Sequence, residues 1–434
     1  MSNSLHRAVI ALALLGATAA FAQDKLTLKE SSDLILKNSP QILMGEESAS
    51  GAEMKVQETK SLYWPQISIG ASYARMSLIS EMTMEFLGQT FNFRFGLPNN
   101  YNMQASVAEQ VFNWGRTARM VDMNKAGWDL ALDGVAMAKH ALAYQVVPLF
   151  YGTVFFKEAI KVLDDNLKAF EKKLDITKQR FDAGLTSSFD LDLIRVQISA
   201  LEAQKLDFQN NINKFRIAFN ILSGREEGAP FDPAADLAFE ALNYRRDDLI
   251  KEALANRLEF QQVQHQLDLG RASRDLAKTS DKPTLAAAFA YQFRNGFMPD
   301  MQNIKGNWTA TLSVSYPVFD GRRTAAQVAQ AESNMRTVEI RKTDLERNVD
   351  MEIQSALADI KTAELKLEIE KTKIQQAENA LRIAEERYRN GVLSATELID
   401  AQNALEGARL NYLQLIYNHT LSKFSLFRSC GRTL

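Results

Sequence analysis

Few side chains in this 434-residue sequence have the types and spacing that enzyme chemistry or metal binding requires. The sequence contains no phosphate-binding loop, no nucleophile elbow and no helical zinc motif. Cys430 is the only cysteine, so no disulfide can form within the chain, and no histidine is close to it in the sequence. The histidines are scattered without metal-ligand spacing: His6, His140, His265 and His419. We therefore expect neither an enzyme nor a bound cofactor or metal ion.

Four acidic residues are the exception. They form two pairs, Asp190 with Asp192 and Glu397 with Asp400. Glu397 and Asp400 are three positions apart and would share one face of a helix. Clustered carboxylates favour cations and raise one another's pKa values. The alternative is a solvated helix start, where acidic side chains suit the helix dipole. The residues alone do not decide between a cluster that favours cations and a solvated helix start.

Each acidic pair follows a glycine turn between two predicted helices, and these turns belong to an internal repeat. Residues 176–225 align without gaps on 383–432, a shift of 207 positions (176 to 383), which places Gly184 on Gly391. The same shift places residues 111–113 on 318–320. Upstream the shift is larger by 11 (Pro65 to Pro283), and this predicts a longer loop in the first copy.

The repeat predicts a domain organisation with two similar halves. Residues 1–22 combine Arg7, an apolar run and the site Ala20-Phe21-Ala22, which is typical of a secretory signal peptide. The first repeat is 23–222, with a helix, a hairpin at about 65–112, a long helix at about 113–183 and a return helix at about 187–222. A linker follows at 223–247. The second repeat is 248–434, with a helix, a hairpin at about 283–319, a long helix at about 321–389 and a return helix at about 394–428.

The hairpins alternate between apolar and polar residues with a period of two, which predicts strands with one apolar and one polar face. Ile67, Ile69 and Tyr73 alternate with Ser68 and other small polar residues. Such strands suit a membrane barrel, although a half-buried soluble sheet would show the same alternation. Four strands cannot close a barrel; two chains would give eight strands with a filled interior, and three would give twelve with an open lumen.

The long predicted helices have about 70 residues each, on the order of 100 Å. Their apolar residues follow the 3–4 spacing of left-handed coiled coils. In the second copy the stripe is Ile353, Ala356, Ile360, Ala363, Leu367, Ile374, Ala377, Leu381, Ala384 and Tyr388, with a gap at Glu370. In the first copy the stripe is Leu167, Phe170, Leu174, Thr177 and Phe181. The fold class is thus mainly α, with antiparallel coiled-coil helices and a β-barrel part.

The composition excludes some functions. With 51 basic and 53 acidic residues, the net charge is −2, and this disfavours a nucleic-acid binder. The most apolar segment after the signal, residues 141–156, is too short for a membrane helix and contains Pro148. An exported chain of this kind would enter a membrane only as a closed β-barrel.

Several short motifs give the chain a resemblance to a known family. These are residues 26–30 with 38–40, residues 65–69, residues 111–113 with Arg116, residues 317–322, and the two glycine turns. In this order and duplication, the chain resembles the TolC-like outer-membrane efflux proteins. The resemblance implies a homotrimer with a twelve-stranded barrel in outer-membrane lipids of a Gram-negative bacterium and an α-helical barrel of twelve helices extending into the periplasm.

The resemblance also implies partners and roles for residues. The trimer would be the exit duct of a tripartite efflux pump or a type I secretion system, with a periplasmic adaptor (membrane fusion) protein and an inner-membrane transporter of the RND or ABC class. The adaptor would dock on Arg180, Ala183, Gly184, Leu185, Arg387, Asn390, Gly391 and Val392. Asp190, Asp192, Glu397 and Asp400 would form acidic rings at the periplasmic entrance. Some family members hold the entrance closed with a basic residue where this chain has Leu393.

Other functions are weaker candidates. A periplasmic or surface coiled-coil scaffold without a pore is the main alternative, but a scaffold needs no polar inner face on its hairpins. A free-standing porin would not need such long helices. Met82 and Met84 could contact soft metal ions, but methionine at such positions usually serves packing.

Overall fold

The computed structural model describes residues 25–434, which form two compact units. The first unit contains residues 25–45, 135–258 and 344–434, and the second contains 46–134 and 259–343. The signal peptide predicted at 1–22 lies outside the described residues.

The helices are, in chain order, α1 (Leu28–Asn38), α2 (Pro40–Lys60), α3 (Arg116–Asp182), α4 (Ser188–Leu222), α5 (Arg246–Asn256), α6 (Leu258–Ala277), α7 (Arg323–Arg389) and α8 (Ala395–Ser429). Helices α3 and α7 have 67 residues each, and α4 and α8 have 35 each. Helices α3 and α7 begin and end 207 positions apart (116 to 323), and so do α4 and α8 (188 to 395), which is the shift seen in the sequence. Pro148 lies inside α3 without ending it.

The long helices begin two or three residues later than predicted, at Arg116 rather than 113 and at Arg323 rather than 321. In both halves two consecutive residues with positive φ precede the helix: Trp114 and Gly115 in the first half, Gly321 and Arg322 in the second. A left-handed backbone cannot continue into an α-helix, so the first turn starts after it.

The strands are β1 (Gln66–Arg75), β2 (Glu81–Phe86), β3 (Gln89–Arg94), β4 (Asn99–Phe112), β5 (Thr284–Arg294) and β6 (Lys305–Ser315). Four of them form an antiparallel sheet in the order β1-β4-β5-β6 within the second unit. The register pairs Ile67 with Val107 and Tyr291 with Trp308. The sheet therefore brings the hairpins of both halves together, with β1 and β6 at its edges.

The extra residues of the first hairpin form a separate two-stranded ribbon, β2–β3, where the sequence analysis predicted only a longer loop. Its turn has positive φ at Leu87 and Gly88, the backbone of a type I′ hairpin turn. Met82, Met84 and Phe86 alternate along β2 and therefore share one face. The ribbon thus explains why the two halves differ in length here.

The apolar face of the four-stranded sheet is exposed in the single chain. Ile67 and Ile69 are 75% and 80% exposed, and Leu312 and Val314 are each 71% exposed. The opposite face carries small polar groups, with a hydrogen bond of 2.8 Å between the hydroxyls of Ser68 and Ser106. An apolar face of this kind is stable against lipid or another apolar surface. In residues 25–434, no helix is apolar over a length sufficient to cross a membrane.

The core of the first unit includes the segment predicted as a linker. Phe231 stacks on Phe219 of α4 with ring centroids 4.0 Å apart, and both side chains are buried. Leu26 and Pro233 form a short parallel bridge, with Leu26 N donating to Asp232 O at 2.9 Å. Residues 231–233 of this linker therefore pack against α4 and pair with the chain just before α1.

Candidate functional site

The two helix turns of the first unit have the same backbone geometry. Gly184 and Gly391 have φ values of 72° and 78°. In the first turn, Leu185 N donates to Arg180 O at 2.8 Å; in the second, Val392 N donates to Arg387 O at 2.9 Å. This is the hydrogen bond that ends a helix with a left-handed residue, and glycine adopts that conformation without steric cost. The sequence repeat thus produces two equivalent turns.

Most residues predicted to dock an adaptor are exposed at these turns. Leu185 and Val392 are 69% and 76% exposed. The other exposed members of the predicted set are Ala183, Gly184, Arg387, Asn390 and Gly391. Exposed apolar side chains beside bare backbone are what a docking partner can contact.

Arg180 differs from the other predicted docking residues because it is half-buried and joins the two turns. Its Nη1 donates to the backbone carbonyl of Tyr388 at 2.6 Å, and its guanidinium lies 5.0 Å from the centre of the Tyr388 ring. The Tyr388 hydroxyl is 2.8 Å from Oγ1 of Thr177, and both groups are buried. Arg180 therefore holds the second turn against the end of α3.

Two of the predicted entrance carboxylates stabilise the first turns of α4 and α8. Glu397 accepts hydrogen bonds from Ser394 N and Oγ at 3.0 and 2.8 Å, while its own N donates to Ser394 Oγ at 3.3 Å. Asp190 accepts from the hydroxyl of Thr186 and from Ser187 N at 3.3 Å. These are capping boxes, which satisfy the free N–H groups of a helix start.

The hydrogen bonds also determine the charge state of these two groups in the single chain. The bond from Thr186, and then those from Ser187, hold the pKa of Asp190 below its ordinary value. The backbone and side chain of Ser394 lower the pKa of Glu397 in the same way. A donor hydrogen bond favours the charged form of a carboxylate. Both residues are therefore ionised at neutral pH.

The other two carboxylates have no capping role. Asp192 is exposed and pairs with Arg195, one turn along α4, at 3.1 Å. Asp400 is exposed on α8. Asp192 and Asp400 are thus the acidic residues at the turns that remain available to an ion or a neighbouring chain.

Burial along the long helices confirms the predicted stripe of α7 and corrects that of α3. In α7, Ile353, Leu367 and Tyr388 are buried, and so is Glu370 at the predicted gap. Between residues 163 and 181 of α3 the buried positions are Leu163, Asn166, Phe170, Lys173 and Thr177, whereas Phe181 is 42% exposed. The sequence analysis considered the apolar residues and therefore did not predict that Asn166 and Lys173 are buried. Their spacing of four and three positions from Phe170 is the signal in the sequence that indicates it.

Comparisons with known proteins agree with this geometry. Residues 32–224 and 249–432 match the family described as Outer membrane efflux protein. The chain is 22% identical over 377 residues to the probable efflux pump outer membrane protein TtgC of Pseudomonas putida, covering 85% of this chain and 75% of TtgC. It is 22% identical over 422 residues to the outer membrane protein TolC of Escherichia coli K12, covering 91% of this chain and 80% of TolC.

The fold is also similar to that of a solved channel structure. The chain superposes on CusC with a TM-score of 0.75 at 15% identity, covering 93% of this chain and 92% of CusC. Within residues 25–434, no cluster of three or more His, Cys, Asp or Glu side chains is arranged to hold a metal ion.

Proposed function

The chain belongs to the outer membrane efflux protein family, and on that premise we propose that it is the exit duct of a tripartite efflux pump or a type I secretion system. It is located in the outer membrane of a Gram-negative bacterium, and its family consists of channel proteins rather than enzymes. Substrates would pass through it passively, because the energy comes from an inner-membrane RND or ABC transporter. TtgC, a relative, is named as an efflux pump component, which supports this role.

The observation that carries the proposal is the four-stranded sheet with two free edges. Strands β1 and β6 lie at the edges and have ten and eleven residues. In lipid, unpaired backbone N–H and C=O groups on an edge cost several kcal/mol each, so such an edge must pair with another chain. Three copies joined β6 to β1 give twelve strands around an open lumen.

The exposed turns support docking of a periplasmic adaptor. We expect Leu185→Asp with Val392→Asp to abolish export, because two charges per chain would have to be desolvated on an apolar docking surface. Intracellular accumulation of a fluorescent efflux dye, measured in the native host lacking its chromosomal copy, tests this. Dye accumulation in the variant should approach that of the strain without the gene, since a loss of about 1.4 kcal/mol already weakens adaptor binding about tenfold.

The matched control for docking is Leu206→Asp, a 65% exposed leucine of α4 away from both turns. Trimer levels should be equal in all three strains. Full export by the variant with both turns changed would contradict adaptor docking, and unchanged dye accumulation after deletion of the wild-type gene would contradict the export role itself.

The carboxylates at the turns are proposed to select cations at the periplasmic entrance. We expect Asp192→Asn with Asp400→Asn to lower the cation preference of the purified channel, because six negative charges leave a trimer. Reversal potentials in planar bilayers under a salt gradient measure this preference. Glu397→Ala is the comparison variant, because glutamine could still accept the capping hydrogen bonds. Since Glu397 caps α8 in this chain, it should change thermal stability more than selectivity, and an unchanged reversal potential in the Asp192/Asp400 variant would exclude the ring.

A further inference from the structure

Four polar side chains are buried where α3 packs against α8 in the first unit. Asn166 and Lys173 of α3 are 5% and 8% exposed, and Gln402 and Glu406 of α8 are 6% and 8% exposed. Each pair is separated by one or two helical turns, so the four can form one continuous contact between the helices. These four residues are called the buried relay.

The hydrogen bonds of the buried relay all run in one direction. Lys173 Nζ donates to Gln402 Oε1 at 2.5 Å, Gln402 Nε2 donates to Asn166 Oδ1, and Asn166 Nδ2 donates to Glu406 Oε2. The two amides thus connect an ammonium group to a carboxylate through their aligned dipoles. Lys173 also has an acidic neighbour, since its Nζ lies 3.7 Å from Glu385 of α7.

The surroundings of the buried relay are apolar. Leu163, Phe170, Ile194, Leu201 and Ile399 form one buried cluster on α3, α4 and α8 around these positions. A charge buried among such side chains is costly unless it is paired directly or neutralised. Lys173 has a carboxylate neighbour, but Glu406 is separated from Lys173 by two amides.

Three other carboxylates along these helix segments have basic partners of their own. Asp164 of α3 pairs with Lys205 of α4 at 2.6 Å, and Glu378 of α7 pairs with Arg409 of α8 at 2.8 Å. Glu370 of α7, which is buried, pairs with Lys373 at 3.0 Å. Within the described part of the chain, the one hydrogen bond to the Glu406 carboxylate comes from the Asn166 amide. Glu406 is therefore the poorly compensated member of the relay.

We propose that Glu406 binds a proton in the folded protein and that the buried relay makes the packing of α8 against α3 pH-dependent. The neutral carboxyl group can remain in the apolar cluster and still accept the Asn166 hydrogen bond. When Glu406 loses its proton, the buried charge weakens the contact between the two helices. This inference rests on contacts within one chain and does not depend on the duct function.

The sign of the effect follows from the pKa directions. Burial raises the pKa of Glu406, against the smaller opposite effect of the Asn166 hydrogen bond. A group whose pKa is raised in the folded state contributes stability below its unfolded pKa, and this contribution is lost as the pH rises through the folded value. Burial also lowers the pKa of Lys173, and this makes stability change with pH in the opposite direction, so the comparison with a Glu406 variant is needed to isolate the Glu406 effect.

The thermal midpoint of the purified, detergent-extracted protein as a function of pH tests the proposal. Glu406→Gln keeps an oxygen for the Asn166 hydrogen bond and removes the charge. We expect this variant to have a Tm about 2 °C higher than wild type at pH 7.5 and the same Tm at pH 4. Glu378→Gln, at the exposed ion pair with Arg409, is the matched control and should keep the wild-type difference between the two pH values.

Infrared spectroscopy provides a second readout, which detects the proton in the wild-type protein directly. Wild-type protein should show the band of a protonated carboxyl group that titrates above the ordinary range of glutamate, and Glu406→Gln should lack it. An identical dependence of Tm on pH in wild type and Glu406→Gln would overturn the proposal. So would a high-pH carboxyl band that persists in the variant, because the proton would then belong to another residue.

Discussion

Leu312→Arg is expected to remove folded protein from the outer membrane, whereas Thr311→Arg, at the adjacent residue, is expected to leave its amount unchanged. Leu312 lies on the exposed apolar face of β6, opposite Ala287, and Thr311 lies on the polar face, opposite Ala288. Arginine on the lipid face of a membrane barrel costs about 2–4 kcal/mol near the middle of the bilayer, while lumen positions tolerate charge. Because a trimer contains three chains, it bears this free-energy cost three times.

The measurement is the amount of detergent-resistant trimer in the outer-membrane fraction of cells that express each variant at the same level. A loss of about 2 kcal/mol per chain predicts at least a tenfold reduction for Leu312→Arg. Thr311→Arg should assemble normally and change ion conductance. Equal amounts of trimer for both variants, or a larger loss for Thr311→Arg, would be incompatible with the assignment of the two faces.

The second large effect is expected at Arg180, which joins the two helix turns. Replacing it with alanine removes a charged hydrogen bond to the Tyr388 carbonyl and the contact with the Tyr388 ring. A hydrogen bond to a charged group contributes about 1.5–3 kcal/mol, and the half-buried position leaves the carbonyl without this partner. The second turn should then open more often.

Hydrogen exchange of the backbone amides at residues 390–393 measures this opening. We expect exchange in Arg180→Ala to be about 30-fold faster, which corresponds to about 2 kcal/mol. Arg180→Lys should be intermediate, since lysine retains a donor but not the planar group that lies over the ring. Arg195→Ala removes an exposed ion pair with Asp192 and should change exchange less than about twofold. Equal rates in Arg180→Ala and Arg195→Ala would show that Arg180 does not hold the turn.

The elements that the sequence predicts well are those with a strong local signal. The glycine turns depend on a backbone conformation that favours glycine, and both Gly184 and Gly391 have it. The strand alternation depends on the two faces of a sheet, and the register of Ile67 with Val107 and of Tyr291 with Trp308 keeps apolar residues on one face. These patterns are written in consecutive residues, so one sequence is sufficient to identify them.

The features that the sequence analysis missed depend on contacts between distant residues. Asn166 and Lys173 have polar side chains typical of an exposed helix face, and only the partners Gln402 and Glu406, more than 220 positions away, allow their burial. The family resemblance implies adaptor docking for Arg180, which stays a prediction, whereas its hydrogen bond to Tyr388 of the other half has no signal in the sequence. The β2–β3 ribbon is an exception, because its short strands and Leu87-Gly88 turn are a local feature for which the sequence analysis predicts only a longer loop.

The central claim is that the sheet lines a conducting lumen. Single-channel conductance of the purified protein in planar bilayers tests it. One cysteine at a time is introduced at adjacent positions of β4. Ser106 lies on the polar face, opposite Ser68, and Val107 lies on the apolar face. The native Cys430 should not react, because it is fully buried and burial raises the pKa of its thiol to about 11. After addition of a charged thiol reagent, we predict that the conductance falls for Ser106→Cys and stays the same for Val107→Cys. Channels that respond only at Val107→Cys, or a purified protein that does not insert into the bilayer, would contradict the assignment of this chain as an outer-membrane duct.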